Sequence, residues 1–420
     1  MNFYDIDKNL MELSKKCEKE LIDVFSNFDD VCFYNSQKVL KAFQENRVSV
    51  DDFREITGYG YYDKGRDKLE QIYADIFKAE DALVRTQIMS GTHALNLAFT
   101  GLLKYSDTLL FITGDPYDSL KSILGMSGDS RNSLMKNGVN IEIIDLIDND
   151  FDTQAIIDRL NKSKVKMVEI QRSRGYSNRK SLTIDKIEKI IKAIREVDKE
   201  VIIMVDNCYG DFVEEREPIE VGADILCGSL MKNLGGGICK TGGYVVGKKE
   251  YVLDVAERLT APGVGKDLGA NLNQNLSFYK GLFIAPSAVC SSLKSMAYAS
   301  CMLEKLGYTV SPTFNEKRTD IIQTIELNNE KDLINFCVGL QKGSPIDSFV
   351  TPIPDKTPGY PHEEIMAGGS FIEGSTIELS ADAPCIYPYT CYMQGGLTYE
   401  YGKLGVLVAL NEIMKNKNNN

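Results

Sequence analysis

The central part of the chain, from about residue 80 to 250, alternates short apolar runs with amphipathic segments. The apolar runs are typical of buried strands, and they are LLFIT (109–113), NIEIIDL (140–146), VKMVEI (165–170), VIIMV (201–205), DILCGSL (224–230) and GYVVG (243–247). Segments between them, such as TIDKIEKIIKAIREV, have helical spacing. This alternation predicts an α/β fold in which helices cover both faces of a mainly parallel sheet.

The flanking regions read differently. Residues 6–26, 36–56 and 65–77 predict helices, the second with a break near residues 48–50, and residues 253–306 are mostly helical. After residue 307, β-type runs at 321–327 and 370–380 surround a helix at 331–342. We therefore expect an N-terminal helical arm (1–60), a large domain (61–300), a small α/β C-terminal domain (301–415) and a disordered tail (416–420).

Composition and charge narrow the possible functions. Hydrophobic residues make up 43% and charged residues 26% of the 420 residues, and the formal net charge is −12. That charge argues against a general nucleic-acid-binding protein. The chain has no apolar run long enough for a membrane helix and no signal peptide, so we expect a cytoplasmic protein. Ten scattered cysteines and two histidines predict no structural metal site.

Candidate chemistry lies at two consecutive strand ends. Asp206 ends one strand, Lys232 follows the next, and Ser229 precedes the lysine by three residues. A pyridoxal phosphate enzyme needs these groups: the lysine binds the cofactor aldehyde, the aspartate faces the ring nitrogen and the hydroxyl reaches the phosphate. Taken one at a time, the aspartate could equally be a helix cap or part of a salt bridge, and the lysine could be an ordinary surface residue. Lys240 is the rival lysine, but it lacks the hydroxyl three residues before it.

Two further elements follow predicted strand ends. Ser90, Gly91, Thr92 and His93 open a helix, where free amides and hydroxyls form an anion site. Tyr117 follows the LLFIT strand and could stack on a cofactor ring. An ordinary helix cap and a loop tyrosine are the alternatives. Because all these elements occur in the expected order, the cofactor interpretation is favoured over the alternatives taken together.

The order of these motifs resembles a known family. The strings MSGTHAL, GDPYDSL, EIQRSRGYS, VDNCYGDFVE, GSLMKNLGGG, GGSFIEGSTIELSAD and YMQGGLTYEYGK are similar to the family called aluminium resistance protein or methionine gamma-lyase family protein. This family resembles cystathionine beta-lyase and other fold-type-I pyridoxal phosphate enzymes. The resemblance implies that fold, with Lys232 as the Schiff-base lysine. It also implies that Tyr117 lies on the cofactor ring as a second catalytic residue, and that Ser90, Gly91, Thr92 and Ser229 bind phosphate.

The resemblance implies a carbon–sulfur lyase that acts by β- or γ-elimination on a sulfur-containing amino acid such as cystathionine or methionine. An aminotransferase, another enzyme of Cα chemistry, or a catalytically altered member linked to metal stress is the alternative. The class further implies a homodimer or homotetramer with shared active sites. Tyr59 or Tyr61, near Arg66, would then reach a neighbouring subunit's phosphate.

The substrate side of the site is less defined. Arg172 and Arg174 follow the VKMVEI strand and could bind a substrate carboxylate, although solvated surface charge is an equal alternative. Ile386 stands where the family usually carries an arginine. The substrate class therefore stays open, whereas cofactor binding does not depend on that position.

Overall fold

The structure is a computed structural model that describes residues 2–59, 63–356 and 362–418. Its helices in these ranges are α1 Lys8–Glu20, α2 Ile22–Glu45, α3 Lys64–Phe77, α4 Gly91–Leu102, α5 Asp118–Leu124, α6 Thr153–Lys162, α7 Ile184–Val197, α8 Lys249–Leu259, α9 Asn275–Lys305, α10 Glu330–Lys342 and α11 Tyr399–Asn418.

The strands in the same ranges are β1 Asp81–Arg85, β2 Thr108–Phe111, β3 Asn140–Ile143, β4 Leu146–Ile147, β5 Asp150–Phe151, β6 Met167–Gln171, β7 Ile202–Asp206, β8 Ile225–Ser229, β9 Gly243–Gly247, β10 Thr309–Ser311, β11 Ile322–Glu326, β12 Asp355–Lys356, β13 Glu363–Ala367, β14 Ser380–Pro384 and β15 Thr390–Gln394. They lie in two compact units, which divide the chain between residues 34 and 35 and between 283 and 284.

The unit formed by residues 35–283 is built on a seven-stranded sheet of order β1-β9-β8-β7-β6-β2-β3. Strands β3, β2, β6, β7 and β8 are parallel, and β9 is antiparallel to both β8 and β1. The carboxyl ends of β1, β2, β6, β7 and β8 therefore meet at one edge of the sheet. The predicted α/β fold with a mainly parallel sheet is confirmed.

Burial explains why these strands form from continuous apolar runs. Every residue of β6, β7, β8 and β9 is buried, as expected for strands covered by helices on both faces. On one face, Phe111, Met167 and Met204 join a core cluster with Leu95 and Phe99 of α4. Helix α4 is thereby held against the sheet, and its amino end lies at the edge where the strands end.

The other unit contains the residues up to Tyr34 and those from Ile284 onward. Its six-stranded sheet is antiparallel, with the order β10-β11-β15-β14-β13-β12. Its core combines Leu10 of α1 with Phe336 of α10 and Leu410 of α11. Helix α11 extends to Asn418, so residues 416–418 of the predicted tail are helical.

Two local predictions need correction. The break predicted near residues 48–50 is present, but the helix before it ends at Glu45, and a 3₁₀ turn rather than an α-helix follows at Val50–Phe53. The β-type run at 370–380 contributes only Ser380 to a strand. Instead, the Glu378 carboxylate accepts hydrogen bonds from the backbone amides of Phe371 and Ile372, at 2.8 and 3.0 Å. This side chain supplies the hydrogen bonds that a sheet partner would otherwise give, and the segment forms a loop.

Candidate active site

The start of α4 and the ends of β7 and β8 form one wall of the candidate site. Ser90 caps α4, and its Oγ accepts a hydrogen bond from the His93 backbone amide at 3.1 Å. A Cβ placed on Gly91 would lie 2.9 Å from Cys208 Sγ and 3.4 Å from Ser229 Cβ. The glycine backbone therefore lies directly against the residues that follow β7 and end β8.

This wall has the chemistry of a phosphate site. Free amides of the first turn of α4 point toward the strand ends, and the helix dipole favours an anion there. The hydroxyls of Ser90, Thr92 and Ser229 lie beside them, and Ser229 Oγ already accepts the Met231 backbone amide at 3.1 Å. His93 is part of the same turn, where its Nδ1 accepts from the Met89 amide at 3.2 Å. Burial lowers the pKa of His93 and so favours the neutral form of its imidazole.

Asp206 and Lys232 interact electrostatically across adjacent strands. Asp206 is 3% exposed, and its Oδ1 accepts the Cys208 backbone amide at 3.0 Å. Burial raises the pKa of Asp206, and the nearby Lys232 charge opposes that rise. Burial disfavours the charged form of Lys232, but Cys208, Tyr209 and Asp206 outweigh it and raise its pKa. The predicted acid and lysine therefore lie in one site, whereas the rival Lys240 is exposed to solvent.

Tyr117 belongs to the same site. It directly precedes α5, and burial raises the pKa of its hydroxyl well above the usual range. The Asp206 charge adds to that rise, and a hydrogen bond with the Thr92 side chain opposes it. Tyr117 thus lies near the carboxylate that would face a cofactor ring and near the hydroxyls that would hold its phosphate. Stacking on a ring stays a prediction.

Tyr209 is a site residue that sequence reasoning missed. Lys232 Nζ lies 3.8 Å from the centroid of the Tyr209 ring, within the range of a cation–π contact. Tyr209 has a positive φ of 68°, which is uncommon outside glycine and turns the backbone sharply after β7. The signal that could have found it is its position, three residues after Asp206 in the same string.

The two arginines are buried. Arg172 is 0% exposed, and its Nη1 and Nη2 donate to the carboxylates of Glu217 and Glu214 at 3.3 and 3.2 Å. A third bond runs from Nη1 to Asn207 Oδ1 at 2.9 Å. This is an internal ion network, and it argues against the predicted role of Arg172 in binding substrate. Arg174 is also buried, at 2% exposure, and its predicted role stays a prediction.

Of the two tyrosines predicted to reach a neighbouring subunit, the structure describes one. Tyr59 is 85% exposed, and Tyr61 lies outside the described residues. The segment before Tyr59 is held in this unit, because Gly58 accepts the Gly269 backbone amide at 3.2 Å. Arg66 is buried and donates to the Gly269 carbonyl at 3.2 Å. A shared active site stays a prediction.

Within residues 2–59, 63–356 and 362–418, no group of three or more His, Cys, Asp or Glu side chains could hold a metal ion. No helix in these ranges is long and apolar enough to cross a membrane. Ile386, the residue in place of an expected arginine, lies in the other unit and is partly exposed.

The donor set fits pyridoxal phosphate. Lys232 supplies an amine for the aldehyde, Asp206 a buried carboxylate for the ring nitrogen, and the first turn of α4 a phosphate site. Gly91 leaves this turn free of a side chain that would close the space against Cys208.

Comparisons with known proteins show the relatives of the chain. The family model described as methionine gamma-lyase matches residues 10–414. The uncharacterized protein YnbB of Bacillus subtilis (strain 168) is 44% identical over 408 residues, which are 97% of this chain and 97% of YnbB.

Solved structures give the same relationship. A crystal structure from Clostridium acetobutylicum, provisionally named a cystathionine beta-lyase involved in aluminium resistance, is 47% identical with a TM-score of 0.95, over 98% of this chain and 97% of that one. Cystathionine gamma synthase of Xanthomonas oryzae pv. oryzae is 17% identical, with a TM-score of 0.57 over 83% of this chain and 86% of that one. The second likeness shows only that the fold is that of the fold-type-I pyridoxal phosphate enzymes. The match over nearly the whole chain shows more: the chain belongs to the methionine gamma-lyase family.

Proposed function

We propose that this protein is a pyridoxal phosphate-dependent carbon–sulfur lyase that eliminates a thiol from a sulfur-containing amino acid. The observation that carries the proposal is the interaction of Lys232 with Asp206 at the ends of adjacent parallel strands. A buried carboxylate is costly without a cationic partner. A protonated ring nitrogen would be such a partner, and Lys232 would supply the amine that binds the aldehyde.

Each residue of the site has a defined task in this proposal. Bound pyridoxal phosphate supplies an electron sink for the electrons left at Cα of the amino acid. Asp206 keeps the ring nitrogen protonated through its negative charge. Tyr117 covers one face of the ring, and the Ser90–Thr92 turn with Ser229 fixes the phosphate. These contacts orient the amino acid, so that its Cα–H bond points at the lysine amine.

Lys232 moves the protons. As a free amine it takes the proton from Cα. As an ammonium it can then give a proton to the sulfur of the departing thiol. Asp206 and the Tyr209 ring stabilise the ammonium form. The lysine can therefore hold the proton between the two steps without releasing it to solvent.

The sulfur-containing substrate is proposed from two supports. The chain belongs to a family named for methionine gamma-lyase, and a relative that is 47% identical carries a provisional cystathionine beta-lyase name. In either reaction a carbon–sulfur bond breaks and a thiol leaves. With one water, cystathionine would lose a thiol from its β carbon to give pyruvate and ammonia, and methionine would lose a thiol from its γ carbon to give 2-oxobutyrate and ammonia.

The test uses the purified protein reconstituted with pyridoxal phosphate. Wild type should show the visible absorbance of a lysine-bound cofactor and should release a keto acid and a thiol from L-cystathionine or L-methionine. Lys232→Ala should abolish that absorbance and lower the rate by about 10²–10⁴-fold, the usual contribution of a general base. Lys240→Ala is the matched control, because this exposed lysine lies in the same stretch of chain.

Three outcomes would contradict the proposal. An unchanged absorbance in Lys232→Ala would move the cofactor to another lysine. Keto acid formed without thiol would indicate an aminotransferase. Bound cofactor with neither product from any sulfur amino acid would leave a catalytically altered family member.

A further inference from the structure

A buried polar network lies behind the candidate site and touches both of its strand ends. Asn207 directly follows Asp206, and Asn233 directly follows Lys232. Both asparagines are completely buried, and so is Asp211, which lies in the turn between them. Buried polar side chains of this kind are hydrogen-bonded in folded proteins, and they fix the backbone that carries them.

Asp211 is the point where the two strand ends join. Its Oδ1 accepts a hydrogen bond from Asn207 Nδ2 at 2.7 Å. Its backbone carbonyl accepts a second one from Asn233 Nδ2 at 2.9 Å. One residue therefore holds the neighbour of Asp206 with its side chain and the neighbour of Lys232 with its main chain.

The Asp211 side chain has little freedom to move. Tyr244 on β9 is completely buried, and its hydroxyl donates to the same Asp211 Oδ1. A Cβ on Gly228 would lie 2.4 Å from that hydroxyl oxygen, so the ring fills the space beside β8. On the other side, Arg172 Nη1 holds Asn207 Oδ1 at 2.9 Å. The asparagine is therefore held from both ends.

We infer that Asp211 is a positioning residue that sets the distance between the Asp206 carboxylate and the Lys232 amine. The inference rests on the proposed function, in which Lys232 binds the cofactor and moves the substrate proton. Asp211 does not touch the reacting atoms. It acts through Asn207 and Asn233, and a displacement of about 1 Å at a reacting group can lower a rate by about 10²-fold.

The charge state of Asp211 decides which substitution mimics it. Burial and the Glu217 charge raise the pKa of Asp211 to about 8, against the opposing effects of Tyr244, Arg172 and Asn207. Three other titratable groups face this carboxyl or its partners: Tyr73, Cys208 and Glu214. At neutral pH the neutral acid is the main form, and Asp211 Oδ2, which has no hydrogen-bond partner in the described part of the chain, can carry its proton. Asparagine therefore reproduces the shape and the neutral charge of the Asp211 side chain. Alanine removes both that shape and the oxygen that accepts the hydrogen bonds.

The experiment compares Asp211→Ala and Asp211→Asn in the cofactor-loaded protein. The readouts are the pH titration of the visible absorbance of the lysine-bound cofactor, kcat and KM for the amino acid, and thermal unfolding. Asp211→Ala should move the titration midpoint by about one pH unit and lower kcat about 10²-fold, with a smaller change in KM. Asp211→Asn should restore the wild-type titration below pH 8, the pH near which Asp211 itself ionises.

Asp224→Ala is the control for a purely structural effect. Asp224 is also a buried carboxylate of the same sheet, but it precedes β8 at the opposite edge, where it accepts the Ile203 amide at 2.7 Å. This variant should unfold at a lower temperature while its absorbance titration stays that of wild type. If Asp211→Ala does not fold, Asn233→Ala takes its place. This variant removes only the hydrogen bond beside Lys232, and it should shift the titration midpoint in the direction expected for Asp211→Ala.

The inference is overturned if Asp211→Ala, or Asn233→Ala in its place, titrates like wild type. An equal shift in Asp224→Ala would overturn it as well, because general loosening would then explain the effect. An Asp211→Asn protein as defective as Asp211→Ala would show that the carboxyl shape is not what positions the pair. A wild-type protein without bound cofactor would instead overturn the proposed function.

Discussion

Substitution of Gly91 by alanine tests whether the first turn of α4 is a phosphate site. The added Cβ would lie 2.9 Å from Cys208 Sγ, closer than real Cβ contacts, and 3.4 Å from Ser229 Cβ. Crowding of this kind costs about 1–3 kcal/mol. The turn must then move away from β7 and β8, and its amides and hydroxyls no longer converge on one point.

The magnitude follows from that strain. Because about 1.4 kcal/mol corresponds to a tenfold change in a dissociation constant, we expect Gly91→Ala to bind pyridoxal phosphate about 5- to 150-fold more weakly. The stability of the cofactor-free protein should change less. Alanine is a better helix residue than glycine by about 0.8–1 kcal/mol, and this gain offsets part of the strain. The assays are an absorbance titration with the cofactor and thermal unfolding without it.

A double mutant separates crowding from other effects. Cys208→Ala removes the sulfur that the new methyl group meets, so the Gly91→Ala/Cys208→Ala protein should regain much of the lost affinity relative to Gly91→Ala alone. Cys208→Ala by itself completes the cycle. Wild-type affinity in Gly91→Ala, or no recovery in the double mutant, would refute the placement of the phosphate at this turn.

Three further predictions concern buried charge. Burial and the Asp206 charge raise the pKa of Glu169 well above its ordinary value of 4.5, so the folded protein keeps this proton and loses stability as pH rises from 4.5 through the raised pKa. The loss in unfolding free energy is about 1.4 kcal/mol per pH unit in that window. Glu169→Gln should remove this dependence, which is measured from urea unfolding midpoints at rising pH. Equal slopes in the wild type and in Glu169→Gln would contradict the assignment. Asp206→Asn should weaken cofactor binding in the absorbance titration while the fold persists, and unchanged affinity would refute its contact with the ring nitrogen. Arg172→Leu should cost about 3–5 kcal/mol of unfolding free energy, because it leaves Glu217 buried without its partner. Arg216→Leu, at an exposed ion pair, should cost under about 1 kcal/mol. Similar losses in the two variants would refute the buried network.

The sheet and the cofactor residues could be predicted because both depend on local patterns. Strands such as β7 and β8 are fully buried, and a buried parallel strand must be apolar along its whole length. A charged or hydroxyl residue at the end of such a run is therefore visible in the sequence. Asp206 and Ser229 stand out for this reason, and the parallel topology brings their strand ends to one edge.

The residues that sequence reasoning missed or misread depend on contacts between distant segments. Arg172 was predicted to bind a substrate carboxylate or to be solvated at the surface, because the sequence does not show that it pairs with Glu214 and Glu217. The segment at 370–380 alternated like a strand, but Glu378 satisfies its backbone from within. The only signal for Tyr209 was its place three residues after Asp206, and its contact with Lys232 depends on the sharp turn after β7, which the sequence does not show.

These differences separate the cofactor question from the substrate question. The candidate cofactor residues follow four strand ends of one sheet edge, those of β1, β2, β7 and β8, so short motifs in one unit predict them. Arg172 is buried and bonded to two carboxylates, which argues against its predicted role in holding a substrate carboxylate. The prediction for Arg174 stays a prediction, and Ile386 has no charge to offer. Every amino acid carries the same α-carboxylate, so the group that holds it separates amino acids from other molecules. Which amino acid is cleaved depends instead on the residues that contact its side chain.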